Sequence, residues 1–258
     1  SFIEGAYAAA VDEVAAWCDA GDATGALIYT DNSLVDPWVV AQYVLARTER
    51  LAPLVAVQPV YQHPYAAAKT IASLAHFYGR KLYLNMVAGG FTQDLRALDD
   101  ETEHDARYDR LVEYTTIVQR LMADDGPVSF EGAWYRVHNL RLRPAVPAEL
   151  RPGYMVSGSS PAGQAAARTL GATAIEYPRP PAELVAGGSV RTSDAGIRIG
   201  LIAREDPESA WRVARERFPG DERGRMTHKL AMATSDSSWH DQLSRLGEAS
   251  EPHTYWLH

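Results

Sequence analysis

GYMVSGSSPAGQAAARTLGATAIEY, residues 153–177, contains the strand–turn–helix–strand unit from which we infer the fold. The apolar runs at 153–157 and 174–177 predict buried strands, and the Ala-rich segment from Pro161 to Leu170 predicts a helix between them. Strands that are apolar along their whole length are typical of a parallel sheet covered by helices on both faces. This stretch therefore predicts an α/β protein whose consecutive strands run parallel.

The same alternation of strand and helix extends in both directions from this unit. Further strands are predicted at 26–30, 54–59, 81–87 and 198–203, and further helices at 6–20, 37–49, 64–78, 104–123 and 207–217. Segment 128–143 interrupts the alternation with the pattern of an antiparallel hairpin that turns at Glu131-Gly132. Six parallel strands fit either a closed (β/α)8 barrel or an open doubly wound sheet.

Composition limits the classes of function. The chain has 258 residues, enough for one (β/α)8 domain, and a net charge of −8, which argues against nucleic-acid or anionic-membrane partners. Its apolar stretches are too short to span a bilayer, so no membrane association is expected. The single cysteine excludes an intrachain disulfide and fits a cytoplasmic location. The eight histidines lack the paired spacing of zinc ligands, so we expect no metal site.

The strongest local candidate for a ligand site is the turn from Ser157 to Gly163. Small residues let the backbone approach a ligand, hydroxyls donate hydrogen bonds, and a helix N-terminus attracts anions, so the turn suits a phosphate. A plain helix N-cap explains the same residues, and spacing alone favours that explanation. Neither GxGxxG nor GxxxxGK[ST] occurs, so a Rossmann fingerprint and a P-loop are both excluded.

Two further candidates lie at a predicted strand end and a predicted helix start. Asn85, which precedes Val87 and Ala88, offers a donor and an acceptor at the sheet edge where α/β proteins bind ligands. His104 and Tyr108 are four residues apart and share one helix face, from which both could hydrogen-bond an anionic or aromatic ligand. A strand end with a glycine turn and an ordinary polar helix start are the structural alternatives.

Six segments in this order resemble the luciferase-like monooxygenases of the bacterial-luciferase superfamily, and among them the alkanesulfonate monooxygenase branch. The resemblance covers most of the chain and includes the hairpin. Its segments are GALIYTDNSLVDPW (25–38), LVAVQP (54–59), GRKLYLNMVAGG (79–90), HDARYDRLVEYTTIVQRL (104–121), FEGAWYRVHNLRLRP (130–144) and YMVSGSSPAGQAAARTLGA (154–172).

The resemblance implies the closed (β/α)8 TIM barrel with a β-hairpin insertion, as a single domain over residues 1–258. It implies that the first strand precedes Ser1 and that the last two follow His258. The helix predicted at Pro181 meets Gly187-Gly188 within one turn, too early for a crossover between parallel strands. We therefore expect missing residues near 186–190, where the family carries a long mobile loop at the active site.

The resemblance also implies roles for individual residues. The phosphate of FMN would contact Gly158, Ser159 and Ser160; the isoalloxazine ring would lie against Asn85, Val87 and Ala88, near Thr30 and Gln58; and the phosphate and ribityl region would border His104 and Tyr108. The candidate catalytic residues are Arg198, which would hold an anionic substrate group or the peroxide, and His104. A salt bridge at the barrel rim explains Arg198 equally well.

The implied activity is a two-component monooxygenase. A separate NAD(P)H-dependent flavin reductase would supply reduced FMN, and O2 would oxidise a small organic substrate. The family's loop cysteine is Leu34 here and its sixth-strand histidine is Gly200, which leaves the sulfonate substrate open. The alternatives are a deazaflavin-dependent hydride-transfer enzyme, a non-catalytic FMN-binding flavoprotein, and a phosphate-binding isomerase or aldolase for which only Glu176 is a candidate. The resemblance implies a homodimer or homotetramer.

Overall fold

The computed structural model describes residues 5–89, 91–176 and 195–217, together with residue 226. Its helices are α1 Ala6–Ala20, α2 Pro37–Arg47, α3 Pro64–Tyr78, α4 Thr92–Ala97, α5 His104–Ala123, α6 Pro161–Leu170 and α7 Pro207–Arg217, with a 3-10 turn at Ala148–Leu150. Its strands are β1 Gly25–Ile28, β2 Ala52–Val57, β3 Tyr83–Met86, β4 Val128–Glu131, β5 Arg136–Leu140, β6 Gly153–Ser157, β7 Thr173–Glu176 and β8 Ala195–Ile197.

Six strands form one parallel sheet in the order β1-β2-β3-β6-β7-β8. Each strand pairs with the next one along the chain, apart from the antiparallel hairpin β4–β5, which lies in the crossover between β3 and β6. A doubly wound sheet reverses its order at a switch point, and this sheet does not. The predicted TIM-type barrel with a hairpin insertion is therefore confirmed over the open sheet.

The sheet is curled, so its two edge strands approach each other at their carboxyl ends. Arg198 directly follows edge strand β8, and Tyr29 directly follows edge strand β1. The guanidinium charge of Arg198 acts on the phenol of Tyr29. Because such an interaction weakens with distance, the two edges face each other across a common mouth.

Local sequence explains where the helices begin. At the start of α2, α3 and α6, a side chain accepts a hydrogen bond from the first turn, and a proline, which needs no amide partner there, follows it. The capping side chains are those of Asp36 for α2, His63 for α3 and Ser160 for α6. These caps agree with the predicted starts of all three helices.

The core lies between the sheet and the helices that cover its outer face. Val55, Leu84, Met86 and Val156 point outward and are at most 1% exposed. They pack with α3, α5 and α6 in one cluster. Residues that alternate with them, and that pair with one another across neighbouring strands, define the inner face: Asn85, Met155, Ser157, Ile175 and Gly196.

One predicted strand was misplaced. The apolar run 198–203 was expected to form the last strand, but β8 is Ala195–Ile197 and residues 198–203 have no regular structure. The pairing of β7 with β8 ends at Glu176 and Ile197. Leu201 is 83% exposed, so this apolar residue does not pack against the sheet.

Two smaller differences concern the crossover between β3 and β6. Helix α4 was not predicted, because it has only six residues and no capping side chain. The hairpin turns over residues 132–135 rather than at Glu131-Gly132. The carboxylate of Glu113 accepts hydrogen bonds from the amides of Ala133, Trp134 and Tyr135, which holds the turn at those residues.

Some expectations fall on residues that the structure does not describe. The helix predicted at Pro181 and the loop near 186–190 lie outside the described ranges. Among the described helices, none has both the length and the hydropathy needed to cross a membrane.

Candidate functional site

Buried polar side chains mark the carboxyl ends of the first three strands. Thr30 and Gln58 follow β1 and β2, Asn85 lies near the end of β3, and these residues are 6–8% exposed. Burying a polar group costs free energy unless it finds a hydrogen-bond partner. In barrels this end of the strands carries the ligand site, so the mouth is the candidate site.

Asn85 is held by a side chain from the neighbouring strand. The hydroxyl of Ser157 donates to the Asn85 Oδ1 atom at 2.7 Å, within the inner face. With its oxygen engaged, Asn85 presents its amide N–H groups as donors. Val87, two residues further on, is half-buried, whereas Ala88 is 6% exposed and packs within the core cluster between sheet and helices.

The turn before α6 combines a helix cap with an anion-binding geometry. The Ser160 Oγ atom accepts a hydrogen bond from the amide of Gly163 at 3.1 Å, so Ser160 is the N-cap of α6. Pro161 has no amide hydrogen, and the remaining first-turn amides have no acceptor within the helix. Ser159 is half-buried beside them. Backbone N–H groups at this end of α6 therefore remain available as donors after the cap has formed.

Tyr108 lies directly on this turn. A Cβ atom at Gly158 would overlap the Tyr108 hydroxyl, and one at Gly163 would lie 3.2 Å from the Tyr108 ring and 3.1 Å from the Gly158 carbonyl oxygen. A side chain at position 158 would therefore displace Tyr108, and one at position 163 would crowd the same ring. Gly163 was not among the residues predicted to contact a ligand. The sequence feature that could have identified it is a glycine in the first turn of an otherwise Ala-rich helix.

His104 accompanies Tyr108 at the start of α5. The two rings meet edge to face with centroids 5.3 Å apart, and the His104 Nδ1 atom lies 2.7 Å from the Asp105 Oδ1 atom. The structure thus brings the predicted pair His104 and Tyr108 together with the predicted turn.

Arg198 occupies the opposite side of the mouth. Its amide donates to the carbonyl oxygen of Glu176 at 2.8 Å, and its position two residues after Gly196 puts it in line with the inner face. The pKa of Tyr29 is raised by burial and then by the carboxylates of Asp31 and Asp94, while Arg198 opposes the rise. A positive charge and two negative charges therefore act at the same opening.

A network that was not predicted from the sequence joins the loops after β1 and β2 to helix α4 at the mouth. Gln58 donates to the Tyr61 hydroxyl at 3.3 Å, and that hydroxyl donates to the Asn32 Oδ1 atom at 2.8 Å. The backbone amide and the side-chain amide of Asn32 donate to Asp94 at 3.3 and 3.0 Å. Burial raises the pKa of Tyr61 to about 12, with Asp94 and Asp31 adding to the shift, so its hydroxyl stays protonated. The available signal in the sequence was Asp31-Asn32 directly after the predicted strand 26–30.

These contacts join predicted residues in three groups: Tyr108 with the turn before α6, Ser157 with Asn85, and Gln58 with the network after β1. Hydrogen-bond donors lie in the first two groups, which suits a ligand that carries an anionic tail and a polar heterocycle. In the described part of the chain, no three His, Cys, Asp or Glu side chains are grouped closely enough to hold a metal ion.

Comparison with known proteins gives a family and a set of similar structures. The sequence model of the family described as luciferase-like monooxygenase matches residues 5–254. The 4-(gamma-L-glutamylamino)butanoyl-[BtrI acyl-carrier protein] monooxygenase BtrO of Niallia circulans is 36% identical over 256 residues, which are 95% of this chain and 74% of BtrO.

Two solved structures share the fold at low sequence identity. The monooxygenase RslO1 from Streptomyces bottropensis superposes with a TM-score of 0.64 at 21% identity, over 87% of this chain and 71% of its own. The riboflavin lyase RcaE, solved with modified FMN and riboflavin, gives 0.66 at 19% identity, over 81% of this chain and 58% of its own.

Proposed function

Because this chain belongs to the luciferase-like monooxygenase family, we propose that it binds reduced FMN in the barrel mouth and uses O2 to oxidise a small organic substrate. As a member of this family, the protein is a flavin-dependent oxidoreductase. The observation that supports the FMN site is the packing of Tyr108 against Gly158 and Gly163 beside the N-terminus of α6. The alkanesulfonate branch stays a prediction.

The residues of the mouth fit FMN. The phosphate would lie on the first-turn amides of α6, with Ser159, the proton of the Ser160 hydroxyl, and Tyr108 as further donors. The Ser160 oxygen accepts from Gly163, so this hydroxyl is free to turn its proton toward an anion. Asn85 and Val87 would lie along the ring, with the amide of Asn85 oriented by Ser157 toward a carbonyl of the heterocycle.

The flavin supplies the oxidative chemistry when bound, and the protein binds, orients and shields it. Arg198 would hold an anionic group at the mouth, because a guanidinium keeps its charge and forms paired hydrogen bonds. Tyr29 stays protonated and would act as a neutral donor toward the substrate, whereas the proton of Tyr61 is already donated to Asn32. His104 would border the phosphate and ribityl region.

We assign the reduction of FMN to a separate NAD(P)H-dependent flavin reductase. The absence of a GxGxxG fingerprint from this sequence supports that division. The deazaflavin-dependent and non-catalytic alternatives differ from this proposal in which cofactor binds and in whether O2 is consumed.

The test is a titration of the full-length protein with oxidised FMN, reduced FMN and a deazaflavin, followed by oxygen-electrode traces with reduced FMN. We expect the tightest binding for reduced FMN and a change in its rate of O2 consumption when protein is present. Selective binding of deazaflavin would establish the hydride-transfer alternative. Tight binding of oxidised FMN without any effect on O2 consumption would establish the non-catalytic flavoprotein.

A further inference from the structure

Asn85 and Ser157 form a polar pair between apolar residues of the inner face. The hydroxyl of Ser157 donates to the Asn85 Oδ1 atom at 2.7 Å, and Asn85 is 6% exposed. The residues that pair with Asn85 in the sheet are Ala56 on β2 and Met155 on β6, and neither has a side-chain oxygen. The hydrogen bond from Ser157 is therefore the contact that orients the Asn85 amide.

The nitrogen end of this amide has no partner. The Asn85 Nδ2 atom makes no hydrogen bond with any residue that the structure describes, yet it is not sealed from solvent. Because Asn85 lies on the inner face near the end of β3, this nitrogen faces the mouth. A buried polar side chain with an unpaired donor at an opening marks a place where a ligand atom completes the hydrogen bonding.

Ser157 also decides which end of the amide meets a ligand. Its hydroxyl donates to no other acceptor in the described part of the chain, so a reversed amide would leave the hydroxyl proton unpaired. An unpaired donor in a half-buried position costs free energy. Held in the observed orientation, Asn85 offers hydrogen atoms and no oxygen to a bound molecule.

We propose that Ser157 is a positioning residue that makes Asn85 a fixed donor to a carbonyl oxygen of the flavin, and that this donor makes the mouth bind reduced FMN more tightly than oxidised FMN. Two-electron reduction with uptake of one proton leaves a negative charge, which the ring shares with its carbonyl oxygens. A donor that is already oriented stabilises this charge without reorganisation, and its effect is enhanced between apolar neighbours.

This inference rests on the proposed FMN site and names the residues that distinguish the two redox states of the cofactor. It differs from the binding of phosphate by the turn before α6, because the phosphate carries the same charge in both states. The turn should therefore strengthen the binding of both forms equally, whereas the pair of Asn85 and Ser157 should favour one of them.

The test compares the affinities for both redox forms in matched variants of the full-length protein. Titrations give the Kd of oxidised FMN in air and of reduced FMN without oxygen, and spectroelectrochemistry gives the midpoint potential of bound FMN. Ser157→Ala should lower the ratio of the Kd of oxidised FMN to that of reduced FMN about tenfold, because the amide is no longer held as a donor. For a two-electron couple, this change lowers the midpoint potential by about 30 mV.

Further variants separate positioning from a structural effect. Ser157→Thr keeps the hydroxyl and should keep the ratio and the potential. Asn85→Leu removes the donor and should lower the ratio at least as far as Ser157→Ala does. Adding Ser157→Ala to Asn85→Leu should then change nothing more, because Ser157 acts through Asn85. Ser73→Ala, which removes a hydroxyl that donates to the carbonyl oxygen of Lys69 on α3, should alter neither quantity.

Three results for Ser157→Ala would overturn the inference. An unchanged ratio would mean that Ser157 does not act on the ring, and an equal loss of affinity for both forms would assign it a structural role. A ratio that rises would mean that the amide presents its oxygen to the ligand. A wild-type protein that binds neither form contradicts the proposed function instead.

Discussion

The turn before α6 depends on contacts of single atoms. Ser160 was predicted to bind phosphate, with an N-cap as the alternative, and its Oγ atom does cap α6. The cap leaves the hydroxyl proton available, so the two roles are compatible. The close contact between Gly158 and Tyr108 could not be derived from the sequence, because the two residues lie fifty positions apart along the chain.

The two serines of the turn should separate binding from stability. Ser159→Ala should weaken reduced-FMN binding by about 1–3 kcal/mol and leave the free energy of unfolding nearly unchanged. Ser160→Ala should weaken binding and also lower the free energy of unfolding by about 1 kcal/mol through loss of the cap. Flavin titration and urea unfolding measure the two quantities, with Ser73→Ala on the exposed face of α3 as control. An unaltered flavin affinity in both variants would remove the phosphate assignment.

Gly158 and Tyr108 should be energetically coupled. Gly158→Ala places a Cβ atom against the Tyr108 hydroxyl, so it should destabilise the turn and weaken FMN binding. Tyr108→Phe removes that oxygen, and the double variant should therefore lose less stability than the sum of the two single losses, by about 1 kcal/mol. Urea unfolding of all four proteins gives this coupling energy. Strict additivity would mean that the two residues do not contact each other.

Elements with strong local signals were predicted within a few residues, and elements defined by distant partners were not. Helices α3 and α6 match their predicted limits because a cap, a proline and the apolar periodicity all lie within the segment, and α5, which lacks cap and proline, matches through its periodicity. Strand β8 was misplaced because its position depends on pairing with β7. Helix α4 has no such local signal, yet its Asp94 joins the network at the mouth.

The start of α5 is fixed by a buried ion pair, which predicts a dependence of stability on pH. Asp100 and Arg110 are 2.6 Å apart, with side chains 8% and 10% exposed. Burial would raise the pKa of Asp100, but hydrogen bonds from Arg110 and Thr102 hold it below its ordinary value. A lowered folded-state pKa gives stability that is present above the unfolded pKa of about 3.9 and is lost as pH falls through the folded pKa.

Replacement of Asp100 should remove part of this dependence. Asp100→Asn should cost about 3 kcal/mol at pH 7, because it leaves the buried Arg110 charge uncompensated. The cost should shrink as the pH falls below about 4, where Asp100 of the unfolded wild-type chain becomes protonated, and should be lost only below the lowered folded-state pKa. Urea unfolding at pH 7, 5 and 3 measures this, with exposed Asp125→Asn as control. A cost that is equal at all three pH values would show that the pair does not titrate as described.

For the whole molecule, the order and direction of the strands could be predicted, because they follow from strand–helix alternation and from the resemblance. The curl of the sheet, which brings Arg198 toward Tyr29, could not, because it arises from the summed twist of six strands. The predicted homodimer or homotetramer and the cytoplasmic location stay predictions.

Ligand binding across so many strands should stabilise the entire fold. If FMN binds only the folded protein, a concentration of 100 times its Kd should add about 2.7 kcal/mol to the free energy of unfolding. We therefore expect the melting temperature to rise with FMN concentration, and to rise less for Ser159→Ala at the same concentration. A melting temperature independent of FMN would mean that the folded mouth does not bind it.

The hydrogen bonds from the hairpin turn to Glu113 limit how this hairpin can be exchanged in protein engineering. A side chain at position 132 would displace that carboxylate from the three amides that it binds, so the acid on α5 and the glycine on the hairpin are matched to each other. A chimera that imports a hairpin from a relative must import the matching stretch of helix as well. We therefore expect a hairpin exchange between relatives to succeed only when the stretch of α5 that carries Glu113 is exchanged with it.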